Sequence, residues 1–173
     1  MRLDTRDVRE WAGKIRAGER VSLSGPVYIA RDAAHKRFAE IMASGGKPPF
    51  KVDGATVYYA GPTPARPGMA IGSCGPTTSG RMDPYTPALL DMGLKCMIGK
   101  GARSREVAES MIKNGAVYLC ALGGAGALAA RHIVSSEVIA FGDLGCEAVL
   151  LVEFDDMPLY VAMDAAGGNV YGR

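Results

Sequence analysis

The chain has 173 residues, of which 48% are hydrophobic, and a formal net charge of +2 from 20 Lys+Arg against 18 Asp+Glu. That length can bury a real core in one domain without staples, and neither sign of charge runs in blocks, which argues against a nucleic-acid or polybasic membrane footprint. No stretch is long and apolar enough to span a bilayer, and Met1–Asp7 lacks the apolar run of a secretory signal, so the expected compartment is the cytoplasm.

The first periodic segment predicts a helix over about 5–17, with Val8, Trp11, Ala12 and Ile15 on one face and Gly18 as its stop. Alternation over Val21–Ile29 predicts a strand with a turn or bulge at Gly25-Pro26. A second helix is expected over 32–43, ended by Gly45-Gly46-Lys47-Pro48-Pro49. Val57–Ala60 reads as a strand, and Gly61–Gly68 as a shaped loop. A glycine- and hydroxyl-rich segment, Gly72–Met82, leads into a helix for which Asp83 is the expected N-cap, Pro84 the first residue and Gly93 the end. Leu94–Ile98 is a short buried strand. Ser104 caps a helix running to about Lys113, stopped by Asn114-Gly115. Val117–Leu122 is a strand, and Gly123–Gly126 opens a short Ala-rich helix. Val138–Phe141, Ala148–Phe154 and Leu159–Met163 are read as three separate strands of a meander, and Gly167-Gly168 turns toward Val170-Tyr171. There is no internal repeat. The expectation is a single mixed α/β domain, layered and without a clean Rossmann sheet.

The segment Gly72–Asp83 has the makings of an anion cradle. Gly72, Gly75 and Gly80 allow close backbone approach, Thr77, Thr78 and Ser79 offer three hydroxyls, and Arg81 supplies a planar fork for a carboxylate. Asp83 argues against a bare phosphate there, because at a cap it would compete for the same amides. A hydroxyl-rich turn that only caps a helix is the bland reading of the same residues. Lys100 lies between Gly99 and Gly101 directly after a strand, where it can hold a carboxylate as a point charge or move a proton, although a solvated turn lysine looks the same in sequence. Arg31 sits at a strand-to-helix mouth, with Asp32 as a plausible cap and His35 one turn inside, placed to orient a neighbour. Gly123-Gly124-Ala125-Gly126 lacks both the dinucleotide glycine order and the phosphate-loop lysine.

Cys74, Cys96, Cys120 and Cys146 are scattered singly, without the close pairs of zinc or iron–sulfur sites. Three cations thus stand at strand ends or loop mouths with no electrophile beside them, which is the inventory of half an active site. A dicarboxylate needs cations at both ends to be held rigidly.

At this point the residues resemble a known family. Gly75-Pro76-Thr77-Thr78-Ser79-Gly80-Arg81-Met82-Asp83 followed by Ile98-Gly99-Lys100-Gly101 is similar to the β subunit, or C-terminal domain, of class I iron–sulfur-dependent fumarate hydratases and of the related L-tartrate dehydratases. Arg31–Arg37, Tyr58–Pro62, Gly123–Ala125 and Asp143–Ala148 extend the resemblance over nearly the whole chain. It implies a swivelling β/β/α domain over residues 1–173. It implies a hetero-oligomer with a larger α subunit that carries a 4Fe-4S cluster on its own three cysteines, with a homodimer as an alternative for the isolated chain. The reaction implied is reversible hydration of fumarate to L-malate, with L-tartrate dehydration, hydration of a methylated fumarate, or a stand-alone dicarboxylate-binding module as alternatives. Carried over residue by residue, Arg31, Arg81 and Lys100 grip the substrate carboxylates, and Thr77 takes part in proton transfer with a partner base on the α subunit. Asp83 is expected to orient Arg81, with Thr78 and Ser79 among the substrate-binding residues and shaping the loop.

Overall fold

Continuous apolar runs decide the architecture, because every central strand carries apolar residues on both faces. Tyr58, Cys96, Ile98, Val117 and Leu119 belong to one buried cluster, while their neighbours Val57, Tyr59, Met97 and Tyr118 belong to another. A strand buried on both sides must lie between two packed bodies. The computed structural model, which describes residues 1–172, shows what they are.

Seven strands run β1 (Arg2–Asp4), β2 (Arg20–Ile29), β3 (Thr56–Tyr58), β4 (Cys96–Gly99), β5 (Val117–Cys120), β6 (Ile133–Ala140) and β7 (Val149–Met163). The helices are α1 (Val8–Trp11), α2 (Asp32–Ala43), α3 (Thr86–Asp91), α4 (Arg105–Asn114) and α5 (Gly126–Arg131). Strands β1 to β5 are parallel neighbours in chain order. Strand β7 runs antiparallel to both β5 and β2, so β2-β3-β4-β5-β7 closes into a five-stranded barrel. Among the described residues, strand β6 pairs only with β7, outside the closure. The first cluster fills the barrel; the second lies between its outer wall and α2, α3 and α4. The chain is therefore a single α/β domain with a mixed sheet, and the expected layering takes the form of a barrel with one helical layer.

Several elements depart from the sequence reading. The helix over 5–17 shrinks to a 3-10 turn, Thr5–Asp7, and the four-residue α1, although Val8, Trp11, Ala12 and Ile15 are all buried as its apolar face predicts. Gly13, with its low helix propensity, follows at once. The three-residue β1 is too short to show alternation, and was missed. Residues 148–154 and 159–163 are not two strands but one, β7. Between Phe154 and Met157 three residues of β7 span two of β2, with Asp156 at φ 53°. This bulge restores parity, so that both halves point their apolar residues into the barrel. The Asp155–Pro158 stretch that reads as a break is the bulge itself. Among the described residues no helix is long and apolar enough to cross a membrane.

Candidate active site

In an open or closed parallel sheet, the C-terminal ends of the strands collect at one rim, and ligands bind there. Here Arg31 follows β2, Tyr59-Ala60-Gly61 follow β3, Lys100 follows β4 and Gly123 follows β5. Four loops that are far apart in sequence thus share one rim.

The hydroxyl-rich loop is fastened across this rim by backbone bonds. Thr77 N–H donates to the Tyr59 carbonyl at 2.7 Å, and Ser79 N–H donates to the Lys100 carbonyl at 2.9 Å. Ala60 pairs with Pro76, and Thr78 with Lys100, as isolated bridges. The loop therefore behaves as a short extra strand laid on the ends of β3 and β4. Ser79 Oγ is the hub beneath it, accepting from Lys100 N–H at 3.1 Å and lying 2.9 Å from the Tyr118 hydroxyl. From inside the barrel, Tyr58 donates to the Cys74 carbonyl at 2.7 Å.

This explains Gly99. A Cβ at that position would come within 1.9 Å of Ser79 Oγ and 3.0 Å of Tyr59 Cδ2. Ser79 is held from two sides and cannot yield. Gly99→Ala is expected to lower stability by about 1–3 kcal/mol, the usual cost of overpacking. Urea denaturation checks this, and adding Ser79→Gly should recover part of the loss.

Two of the three cations, Arg31 and Arg81, meet at one carboxylate, that of Asp32. Arg81 Nε contacts Asp32 Oδ1 at 2.7 Å, and Arg31 Nε contacts Asp32 Oδ2 at 3.1 Å and Glu147 Oε1 at 2.9 Å. Arg81 Nη1 reaches toward Thr77 Oγ1 at 3.5 Å. The Lys100 stem runs beside Gly123, where a Cβ would sit 3.8 Å from Lys100 Cδ. Gly61 has no room for a side chain either, because Arg31 Cδ would lie 2.9 Å from its Cβ. Thr78 and Arg81 are exposed, Thr77, Lys100 and Arg31 half-buried. Burial works against a charged Asp32, yet its own backbone N–H, the Arg31 hydrogen bond and the Arg81 and Arg31 charges together hold its carboxyl below the ordinary value.

Asp83 corrects the sequence reading twice. It does not cap α3, whose N-cap position is Tyr85 without a side-chain cap bond. Nor does it orient Arg81: its Oδ1 accepts from Arg103 Nε at 2.6 Å and its Oδ2 from Ser104 N–H at 2.6 Å. Arg103 is fully buried, donates to Thr86 Oγ1 at 2.8 Å, and lies over the rings of Tyr59 and Tyr118, 5.2 Å from each centroid. A buried guanidinium needs a carboxylate more urgently than an exposed one does. Arg103, Glu147 and Tyr118 carry structural weight at the rim that sequence reasoning missed. Glu147 stood inside a block already quoted for the resemblance; Arg103 had no signal beyond lying two residues from Gly101.

His35 lies behind the rim, fully buried, with Nδ1 2.9 Å from the Arg31 carbonyl. A carbonyl only accepts, so Nδ1 carries the proton. Among the described residues, Nε2 and the nearby Tyr59 hydroxyl have no partner. Burial pushes the imidazole down to about 4, opposed by the Arg31 carbonyl bond. The unfolded chain therefore binds this proton below an ordinary value of 6.5 while the folded chain does not. Stability is expected to fall as pH drops from 6.5 toward 4, by about 3 kcal/mol from this residue, and no further below. Urea midpoints at pH 7.5, 5.5 and 4 should show this limb, flattened in His35→Gln.

The family model described as the fumarase C-terminus matches residues 1–173. The chain belongs to the fumarase C-terminal family. It is 38% identical over 154 residues to "Fumarate hydratase class I, aerobic" of Escherichia coli (strain K12), covering 88% of this chain and 28% of that protein. It is 36% identical over 168 residues to "Fumarate hydratase 2" of Leishmania major, covering 96% of this chain and 30% of that protein. A Methanocaldococcus jannaschii chain provisionally named L(+)-tartrate dehydratase subunit beta is 35% identical over 176 residues, covering 98% of this chain and 88% of that one. The chain thus spans under a third of the fumarate hydratases it matches but most of the beta subunit.

Class I fumarases use a 4Fe-4S cluster, and the residues of this fumarase C-terminal chain do not fit one. Among the described residues no three His, Cys, Asp or Glu side chains come together as a metal site. Cys74 and Cys96 are buried, and burial pushes each thiol up to about 12, away from the thiolate that ligates iron.

Proposed function

We propose that this chain is the β-subunit half of a hydro-lyase that reversibly hydrates fumarate to L-malate, active only with a larger α subunit. The single observation carrying this reading is the convergence of Arg31, Arg81, Lys100 and Thr77 on one solvent-open rim. Three cations suit a dicarboxylate, and an open rim suits a site whose other wall belongs to a partner. The electrophile that polarises the substrate hydroxyl belongs, in this reading, to the cluster on the α subunit.

The chain's own residues bind, orient and move a proton. Arg31, Arg81 and Lys100 neutralise the two carboxylates and fix the carbon skeleton against Thr77. Thr77 Oγ passes a proton to or from the substrate carbon, and a carboxylate of the α subunit takes or returns it, since a threonine hydroxyl is too weak a base by itself. Thr78 and Ser79 hold the loop in register on β4. Asp83 and His35 support the rim from behind.

The β-subunit match favours a second reading, L-tartrate dehydration, because it covers most of both chains. Mixing the purified chain with a cluster-bearing α subunit and assaying L-malate, fumarate and L-tartrate side by side separates the two. Turnover of tartrate alone would replace fumarate as the substrate. Tight dicarboxylate binding by the chain alone, with no turnover in any mixture, would leave a non-catalytic binding module.

A further inference from the structure

Asp32 is the acidic residue at the centre of the cationic rim, and its two oxygens serve two different arginines. Oδ1 is 2.7 Å from Arg81 Nε, and Oδ2 is 3.1 Å from Arg31 Nε. Both arginines thus meet Asp32 with the same nitrogen, the one nearest the stem, Arg31 through a hydrogen bond and Arg81 through an ion pair. A guanidinium has five N–H donors. Engagement through Nε leaves the terminal nitrogens for other contacts: Arg81 Nη1 reaches toward Thr77 Oγ1, and Arg31 Nη1 lies against Gly61.

The two arginines differ in how they are otherwise supported. Arg31 is also held by Glu147 and stands at the mouth of α2. Arg81 comes from the far loop, and its side chain is half exposed at 51%. A long exposed side chain loses rotamer entropy when it is fixed for a ligand. Asp32 is the first residue of a twelve-residue helix, and so ties the more exposed fork to the less exposed one. Its carboxyl is held ionised by the same contacts that it makes.

Resting on the hydro-lyase reading above, we propose that Asp32 is a positioning residue that joins Arg31 and Arg81 into a single carboxylate-binding fork. Because one carboxylate bridges them, the two arginines serve the same end of a dicarboxylate, and Lys100, across the loop, serves the other. Asp32 acts through the arginines and does not touch the substrate. The opposite role, a stand-in that the substrate must displace, does not suit the contact pattern. An incoming carboxylate approaches the outer nitrogens, which Asp32 does not occupy.

Two measurements test this. In the full chain alone, the Nε–H resonances of Arg31 and Arg81 should exchange slowly with water, and in Asp32→Ala the Arg81 resonance should lose that protection. In the assembled enzyme, Asp32→Ala should raise KM for fumarate about tenfold or more while kcat changes by less than about threefold, because the fork is used in ground state and transition state alike. Placed on an Arg81→Lys background, the same substitution should add less than about twofold, since both act through one fork. A KM that is unchanged or lowered by Asp32→Ala overturns the proposal and leaves the hydro-lyase reading intact. If the wild-type assembly turns over no dicarboxylate while Arg81 loses protection in Asp32→Ala, the hydro-lyase reading falls and the clamp stands as a binding device. Equal Arg81 protection in both proteins overturns the clamp outright.

Discussion

Thr77→Val in the assembled enzyme is expected to lower kcat by about 10²–10⁴-fold, the usual worth of a positioned proton-transfer group, with KM within a few-fold. The substitution is close to isosteric, and the position of residue 77 does not depend on the hydroxyl. Its backbone N–H donates to the Tyr59 carbonyl at 2.7 Å, and the adjoining Ala60–Pro76 bridge holds the same strand-like path. The 3.5 Å approach of Arg81 Nη1 to Thr77 Oγ1 is long for a hydrogen bond, so losing it should leave the arginine on Asp32. The split between kcat and KM is the discriminating readout. A variant with kcat within about threefold of wild type, folded by thermal melting, would remove Thr77 from the proton path and leave the cations as a binding site alone.

Asp83→Ala is expected to cost about 3–5 kcal/mol, the range for stripping the partner from a buried charge. That is a large share of the stability of a domain this size. Arg103 has no exposed side-chain surface, and Asp83 is only 12% exposed, so water cannot replace the lost carboxylate. The aromatic faces of Tyr59 and Tyr118 and the Thr86 hydroxyl remain, but they carry no negative charge. The same substitution removes the acceptor from Ser104 N–H at the start of α4. Chemical denaturation measures the loss. Asp83→Ala combined with Arg103→Met should recover much of it, because the uncompensated charge goes with the arginine. Equal stability of Asp83→Ala and wild type would mean that Arg103 finds its compensation elsewhere.

Some of the candidate site was visible in one dimension. Local chemistry picks out the Thr77–Arg81 run, whereas Lys100 between its glycines reads equally as a solvated turn lysine until the family resemblance is added. Ser104 caps α4 as its hydroxyl predicts, accepting from Val107 N–H, and Gly115 ends that helix in the left-handed conformation. Asp83 shows where such reasoning stops. Aspartate before proline is a strong N-cap pattern, and local propensity assigned it to α3. The assignment lost to a buried arginine twenty residues further on, a partner that only the fold brings near. Asp32 followed the same course, readable as a helix start but not as the bridge between Arg31 and Arg81.

The order of strand-like and helix-like segments determined by itself that the chain is a mixed α/β domain, and the apolar spacing determined that α2 packs by one side. The sequence also placed three cations at loop mouths without an electrophile, which is why half an active site was the natural reading. Tertiary structure decided the rest. Closure of the barrel depends on β7 pairing with β2 along almost its whole length, a contact across more than a hundred residues, and the neighbour imposes continuity on a strand whose sequence reads as two. The ion pairs of Asp32, Glu147, Asp83 and Arg103 were settled in the same way. Charged groups choose partners by distance and burial, and neither is set until the strands have brought their ends to one rim.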